Sequence, residues 1–160
     1  MFRKIVLLTI LICFVFSAEA QKRYSKEYFN NGVIKAEGWT LNNAKTAYWK
    51  LYNKNGKIAA KGHYKDNKKT GYWYFYSGKE QLLKEGHFLN GKANNWWIIY
   101  EIAADKKHKA QFKNNQKNGY CLKYYKNKLI KVETFEADIK TGEWDSIAAF
   151  KRDNPSFSFK

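Results

Sequence analysis

Residues 61–76 read KGHYKDNKKTGYWYFY and carry six aromatic side chains in sixteen positions. Tyr and Trp provide rigid contact area with a polar group at one end, so such a stretch is typical of a binding surface. The same arrangement of glycine, aromatic and turn residues returns on both sides of it. We therefore ask first whether the stretch is one site or one copy of a repeat.

A period of 24 residues runs through the chain, and Trp49, Trp73 and Trp97 share one position of it. Cys121 takes that position in the next copy, and Trp144 follows one residue early. Two further positions hold glycine and tyrosine: Gly38, Gly62 and Gly86, continued by Ala110 and Thr134, and Tyr28, Tyr52, Tyr76, Tyr100 and Tyr124. About five copies therefore run from residue 25 to residue 143, and a partial sixth begins at Trp144.

Each copy contains two short strand-like runs around a turn. Asn55-Gly56 is the strongest hairpin signal, because both residues tolerate the positive φ of a type I′ turn, and Asn31-Gly32 repeats it. If both residues form the loop, each Trp opposes a small residue across the hairpin and covers it. The expected pairs are Trp49 with Gly62, Trp73 with Gly86, and Trp97 with Ala110. Breaks between copies are predicted at Ala47, Gly71, Asn95, Gly119 and Gly142.

The alternation of side chains along a strand sorts each hairpin into two faces. In the second copy the apolar face holds Trp49, Leu51, Ile58, Ala60, Gly62 and Tyr64, and the polar face holds Tyr48, Lys50, Tyr52, Ala59, Lys61, His63 and Lys65. The third copy places Trp73, Phe75, Leu82 and Phe88 on the apolar face. The fourth copy lacks the Asn-Gly turn, so we expect a longer or irregular hairpin there.

These patterns predict an all-β protein: an elongated, single-layer antiparallel meander of ten or eleven strands, built from about five 24-residue hairpin repeats. No segment after residue 21 carries the apolar period of a helix, and aromatic and β-branched residues between turns favour strands. The apolar face must then curl on itself or meet a partner, since flat exposed sheets aggregate.

Residues 1–20 have the features of a secretory signal peptide. Arg3 and Lys4 precede the apolar run 5–16, and Ala18-Glu19-Ala20 resembles a cleavage site. A membrane anchor is the alternative, but about 12 apolar residues fall short of the roughly 20 that span a bilayer. We expect residues 21–160 to form one repeat domain that is exported to the periplasm or the exterior, without a transmembrane segment after cleavage.

The exported part carries 28 basic and 13 acidic residues once Arg3, Lys4 and Glu19 are removed. Nearly all of the positive charge is lysine, and Arg23 and Arg152 are the two arginines of this part. Base recognition favours the planar fork of arginine, so the composition argues against nucleic acid as a partner. A solvated lysine surface, or attraction to anionic envelope lipid or glycan, fits the composition better.

The spacing of Gly62, Tyr64, Gly71, Trp73 and Tyr76, followed by Gly86, Phe88 and Trp97, resembles the MORN repeat (membrane occupation and recognition nexus). The bacterial variant in question occurs in YwqK-type antitoxin-like proteins. The resemblance covers about residues 25–150. It implies a single-layer sheet of hairpins that binds proteins or membranes, without an activity of its own.

The residue types that carry chemistry follow the repeat. His63 and His87 occupy one repeat position in successive copies, two strands or about 10 Å apart, too far to share a metal ion. Cys121 is interpreted as a small filler of the Trp position. Glu37, Glu85 and Glu133 alternate with Lys61 and Lys109, which predicts cross-strand ion pairs. We predict no catalytic, cofactor or metal site, and hence no enzyme.

A candidate binding surface remains on the polar face of the sheet. Its residues are Tyr52, Tyr76, Tyr100, Tyr124, Lys50, Lys61, His63 and His87. One interpretation is that these side chains only cover the sheet. The functional one is a protein-interaction scaffold in the envelope or outside the cell. Its alternatives are salt-sensitive adhesion to anionic lipid or polysaccharide, and an antitoxin-like inhibitor.

Overall fold

The described part of the chain forms one open antiparallel sheet of eleven strands in sequential order, followed by a short helix. The computed structural model describes residues 21–157, so the predicted signal peptide lies outside the described residues. The all-β single-layer meander of hairpins is thereby confirmed. The elements are β1 (Lys22–Tyr28), β2 (Ile34–Leu41), β3 (Ala44–Tyr52), β4 (Ile58–Lys65), β5 (Lys68–Tyr76), β6 (Leu82–Leu89), β7 (Lys92–Glu101), β8 (Lys106–Lys113), β9 (Gln116–Tyr125), β10 (Lys128–Glu136), β11 (Ile139–Trp144) and α1 (Ile147–Asp153). Between residues 21 and 157, no helix is long and apolar enough to cross a membrane.

The turns at Asn31-Gly32 and Asn55-Gly56 are not the predicted type I′ turns. Gly56 donates to the Asn53 carbonyl at 2.9 Å, and Asn53 donates to the Lys57 carbonyl at 2.8 Å, which leaves a loop of three residues. In this loop Gly56 has a positive φ of 79° and Asn55 does not. A type I turn closed by one left-handed residue accounts for this geometry.

Type I′ turns do occur, and all but the turn at 126–127 connect one hairpin to the next. Both central residues have positive φ in the pairs 42–43, 66–67, 90–91, 114–115, 126–127 and 137–138. Neighbouring turns are linked: Asn67 donates its N–H to the Lys45 carbonyl and accepts from the Lys45 N–H through Oδ1 at 2.7 Å. The predicted irregular hairpin of the fourth copy is confirmed, since a 3₁₀ turn at Ile102–Ala104 lengthens it.

The predicted register is confirmed at the Trp positions, where Trp49 opposes Gly62, Trp73 opposes Gly86 and Trp97 opposes Ala110. A β-bulge beside each three-residue loop then shifts the pairing by one residue. Tyr52 therefore opposes Ile58, and Tyr76 opposes Leu82. The expected place of Ile58 and Leu82 on the apolar face is wrong, because a one-residue shift moves a side chain to the other face.

The residues expected at breaks between copies lie inside strands. Ala47, Gly71, Asn95 and Gly119 have positive φ and form bulges within β3, β5, β7 and β9. At the first of these the register changes from Trp39–Thr46 to Gly38–Trp49, so β3 contains two residues more than β2 over this stretch. Such bulges bend a strand and increase its twist.

The indoles form the core of the repeat on one side of the sheet, which we call the indole face. Trp49, Trp73 and Trp97 are at most 5% exposed. Each covers the glycine of the preceding copy: a Cβ atom added to Gly62 would lie 2.4 Å from the Trp73 ring. The Trp73 Nε1–H also donates to the His63 carbonyl at 3.0 Å, beside the bulge. The prediction that the indole covers the glycine across its own hairpin is therefore wrong.

The fifth copy departs from this plan. Its hairpin turn, 126–127, has two residues instead of three, and the following pairing places Glu133 opposite Cys121. Glu133 therefore occupies the repeat position that holds glycine in the first three copies. The 24-residue spacing predicts Thr134 for that position, and this prediction is wrong. The bulge in β11 is also one residue shorter, so Trp144 opposes Val132 on the side away from the other indoles. The predicted place of Trp144 in the Trp position is wrong for this reason.

Helix α1 was not predicted, because seven residues are too few to show a helical period. Its local signals are nevertheless present: the Ser146 side chain accepts from the Ala149 N–H, and Lys151 and Arg152 occupy the last turn. Fully buried Phe150 packs with Leu122 and Val132. The helix therefore covers the C-terminal end of the sheet on the side opposite the indole face.

Candidate functional site

The predicted binding residues all lie on the side of the sheet opposite the indoles, which we call the tyrosine face. Strand pairing determines this placement, because residues that oppose each other on neighbouring strands lie on the same face. Lys50 opposes both Glu37 and Lys61, so all three lie on the tyrosine face. His63 and His87 are exposed and oppose Tyr48 and Tyr72. Tyr52, Tyr76, Tyr100 and Tyr124 extend from strand to strand on the same side.

In the first three copies a charged side chain lies between tyrosines, with the sign alternating from copy to copy. Tyr52 donates to Glu37 Oε1 at 2.6 Å, and Tyr100 donates to Glu85 Oε1 at the same distance. In the copy between them, the Lys61 ammonium lies 5.3 Å from the Tyr76 ring centre. The members of this column do not pair with one another, but cross-strand ion pairs do form: Glu37 lies 3.9 Å from Lys26, and Glu133 lies 2.8 Å from Lys123.

The pKa values of these groups follow from their contacts. The hydrogen bond from Tyr52 lowers the pKa of Glu37, and burial together with Glu37 raises the pKa of Tyr52. Burial and the nearby Glu85 raise the pKa of Tyr72 to about 12 and also raise that of Tyr100. At neutral pH the phenols are therefore protonated, and their hydroxyl groups are held by fixed partners.

Three edge-to-face aromatic pairs lie beside these charges, one in each of the first three copies. The ring centres are 5.4 Å apart in Tyr24–Trp39, 5.2 Å in Tyr48–His63 and 4.8 Å in Tyr72–His87. Tyr24 is 49% exposed, and Trp39 and Tyr48 are each 39% exposed. These rings therefore present apolar surface to solvent on a hydrogen-bonded sheet.

From the fourth copy onwards, aromatic rings of the tyrosine face are packed against other side chains instead of facing solvent. Trp96 takes the place of the next tyrosine, and Gln111 takes the place of the histidine. Trp96 and Tyr124 pack against the cluster that α1 covers. Tyr124 is therefore set apart from the other predicted binding residues, as a support for the C-terminal helix.

The tyrosine face is shallow. The depression beside Tyr76, lined by Ile58, Lys61 and Glu80, holds about 140 Å³ and is open to solvent. A larger open depression of about 290 Å³ lies near Tyr28 and Lys54 at the edge of the sheet. Such shapes suit contact with an extended surface or chain better than enclosure of a small molecule.

The residues with catalytic or metal-binding potential are dispersed. Burial raises the pKa of Cys121, whose side chain is enclosed in the sheet. His108 contacts Glu101 at 3.0 Å, and burial lowers its pKa. In the part of the chain that the structure describes, no three His, Cys, Asp or Glu side chains are grouped to hold a metal ion.

Sequence reasoning missed the outer rings of the tyrosine face. Tyr24, Tyr48, Tyr72 and Trp96 are themselves 24 residues apart, so the period contained the signal. The partners Trp39, His63 and His87 also follow that period. The bulge within each strand obscured the pairing of these two positions, because it changes the register between them.

No protein-family model matches this chain, and no curated protein matches it significantly. The likeness to MORN repeats therefore rests on residue spacing alone. Function has to be argued from the tyrosine face itself.

Proposed function

We propose that this chain is a non-catalytic repeat protein that binds an extended macromolecule along its tyrosine face. The observation that supports the proposal is the recurrence of one exposed aromatic pair in three successive copies. Equivalent contacts at equal spacing can be used together by a partner that runs along the sheet. In keeping with the predicted signal peptide, the protein would act in the envelope or outside the cell.

The rigidity of the face also supports this proposal. The phenols of Tyr52 and Tyr100 are held by carboxylates, and the turns of neighbouring hairpins are linked by backbone hydrogen bonds. A surface ordered before binding loses little conformational entropy when its partner arrives. The protein-interaction scaffold that the sequence suggests would use the same face. An antitoxin-like inhibitor that binds one compact target would use only part of it.

Oxidative footprinting tests the proposal without knowledge of the partner. Residues 21–160 are exposed to hydroxyl radicals with and without a surface extract of the source cells. We expect protection of Tyr48 and Tyr76 on the tyrosine face and unchanged labelling of Tyr64 and Phe88 on the indole face. Protection confined to Tyr64 and Phe88, or no protection on either face, would overturn the proposal.

A further inference from the structure

The three aromatic pairs point to one class of partner. Building on the proposed function, we infer that the tyrosine face from Tyr24 to His87 is a binding site for an acidic polysaccharide. Each of the first three copies provides one subsite, formed by Tyr24–Trp39, Tyr48–His63 and Tyr72–His87. The subsites lie side by side across β1 to β6.

The spacing of the subsites favours a partner that repeats. Consecutive pairs are two strands apart, which is about 10 Å, and three pairs extend over about 20 Å of the sheet. A linear polysaccharide presents chemically equivalent rings at regular intervals along its axis. Three equivalent pairs are therefore better matched by a repeating polymer than by the irregular surface of a globular protein.

The chemistry of each subsite suits a sugar ring. The C–H face of a pyranose is apolar and stacks on an aromatic ring, while its hydroxyl groups require polar neighbours. Each subsite combines an aromatic ring with such a neighbour, because Tyr48 and Tyr72 lie beside exposed His63 and His87. The indole N–H of Trp39 and the phenol of Tyr24 offer the same combination in the first copy.

The charges of the face favour an acidic rather than a neutral sugar chain. The carboxylates of Glu37 and Glu85 accept hydrogen bonds from tyrosines, and the Lys26 ammonium lies 3.9 Å from Glu37 and offsets its charge. Lys22 lies 4.9 Å from the Trp39 ring centre, and Lys61 lies 5.4 Å from that of Tyr74. Together with Lys50, these ammonium groups offer point charges to the carboxylates of a polymer.

The site ends where the fourth copy begins, and this gives it a defined length. Trp96 belongs to the cluster beneath α1, and the Lys109 ammonium lies 5.0 Å from its ring centre. Gln111 replaces the exposed histidine and accepts from the Tyr120 N–H at 2.8 Å. A fourth subsite is therefore not formed, and longer chains gain no further aromatic contact.

Titration of residues 21–160 with oligogalacturonates of increasing length tests this inference. Affinity is expected to rise with length until the oligomer spans the three pairs, and then to level off. The methyl-esterified oligomer has the same rings without the charge, and it should bind about tenfold more weakly or worse. Oligothymidylate of similar length serves as the nucleic-acid comparison and should bind more weakly than the oligogalacturonate.

Variants locate the site on the tyrosine face. Tyr48→Ala combined with Tyr72→Ala should lower the affinity for the longest oligogalacturonate by about tenfold or more. Tyr125→Ala, which removes a ring 42% exposed on the indole face, should leave it unchanged. If the double variant does not fold, Tyr48→Leu retains apolar volume without the ring and should weaken binding in the same direction.

The outcomes separate this inference from the proposed function. Affinity that is independent of length, tighter binding of oligothymidylate, or equal loss in Tyr125→Ala would overturn the polysaccharide site. If footprinting still shows a protected tyrosine face, the proposed function stands with another partner. If footprinting shows no protection of the tyrosine face and the titrations show no binding that depends on it, the proposed function and the polysaccharide site are both overturned.

Discussion

The first four copies and the chain after Gly119 are built from the same hairpin, yet the two faces of the sheet exchange their roles between them. In the early copies the indole face is buried by Trp49, Trp73 and Trp97, and the tyrosine face is open through the third copy. After Gly119 the tyrosine face becomes apolar and is covered by Phe150. The indole face there carries ion pairs, with Lys123 at 2.8 Å from buried Glu133.

Two single-residue losses account for this exchange. The turn 126–127 is one residue shorter than the corresponding turns of the first three copies, and the bulge in β11 is one residue shorter than those before it. Because side chains alternate with a period of two, each loss moves the following residues to the other face. Val132 and Trp144 thereby join the tyrosine face, and Glu133 and Glu143 oppose each other on the indole face.

The largest expected effect is a difference in stability between variants of Trp73 and Cys121, which occupy the same position of the repeat. Trp73→Ala should lower the free energy of unfolding by about 3–5 kcal/mol, because a buried ring and its hydrogen bond to the His63 carbonyl are lost. Cys121→Ala should cost about 1 kcal/mol, since one small group is removed. Chemical denaturation measures both values, and equal losses would contradict the comparison.

The glycines beneath the indoles should tolerate no side chain. Gly62→Ala is expected to destabilise the protein by about 1–3 kcal/mol, because its Cβ would lie 2.4 Å from the Trp73 ring. Gly78→Ala is the matched control, since its Cβ would meet only the Asn55 side-chain nitrogen at 3.5 Å. Hydrogen exchange should locate the weakening at β4 and β5, because a repeat contacts chiefly its neighbours.

The ion pairs of the C-terminal end should give it an acid sensitivity of its own. Hydrogen bonds from Lys131 and Lys140 lower the pKa of Glu143 from 4.5 to about 2. A lowered pKa stabilises the fold above the unfolded value, so this contribution is lost as the pH falls from 4.5 towards 2. Denaturation midpoints across this range should depend less on pH in Glu143→Gln. The exposed Glu136→Gln should behave like the unaltered protein.

The smallest expected effect concerns the links between neighbouring turns. Asn115 accepts from the Ala93 N–H at 2.6 Å through its side chain, whereas Gly91 offers only its backbone N–H to Lys69. Gly91→Asn should therefore stabilise the protein, and Asn115→Gly should destabilise it, each by about 0.5 kcal/mol. Both residues have positive φ, which Asn and Gly accept, so backbone strain does not confuse the comparison. Thermal melting should show shifts of opposite sign.

The candidate site was predictable in part. The spacing of Tyr52, Tyr76 and Tyr100 placed the tyrosines on one face, because the alternation of a strand is local. The positions of Ile58 and Leu82 were missed, because the bulges that move them come from turns whose length the Asn-Gly signal did not give. The alternating column of Glu37, Lys61 and Glu85 was visible, but its tyrosine partners lie on other strands.

The sequence by itself determined that this chain is a meander of hairpins, that each Trp opposes a small residue, and that tyrosine and lysine share a face. All three follow from short-range periodicity, which recurs in successive copies of the repeat. The tertiary structure alone decided which glycine each indole covers, where the sheet faces exchange, and where α1 packs. Those outcomes depend on bulges and on contacts between copies, and a single residue more or less in a turn reverses them.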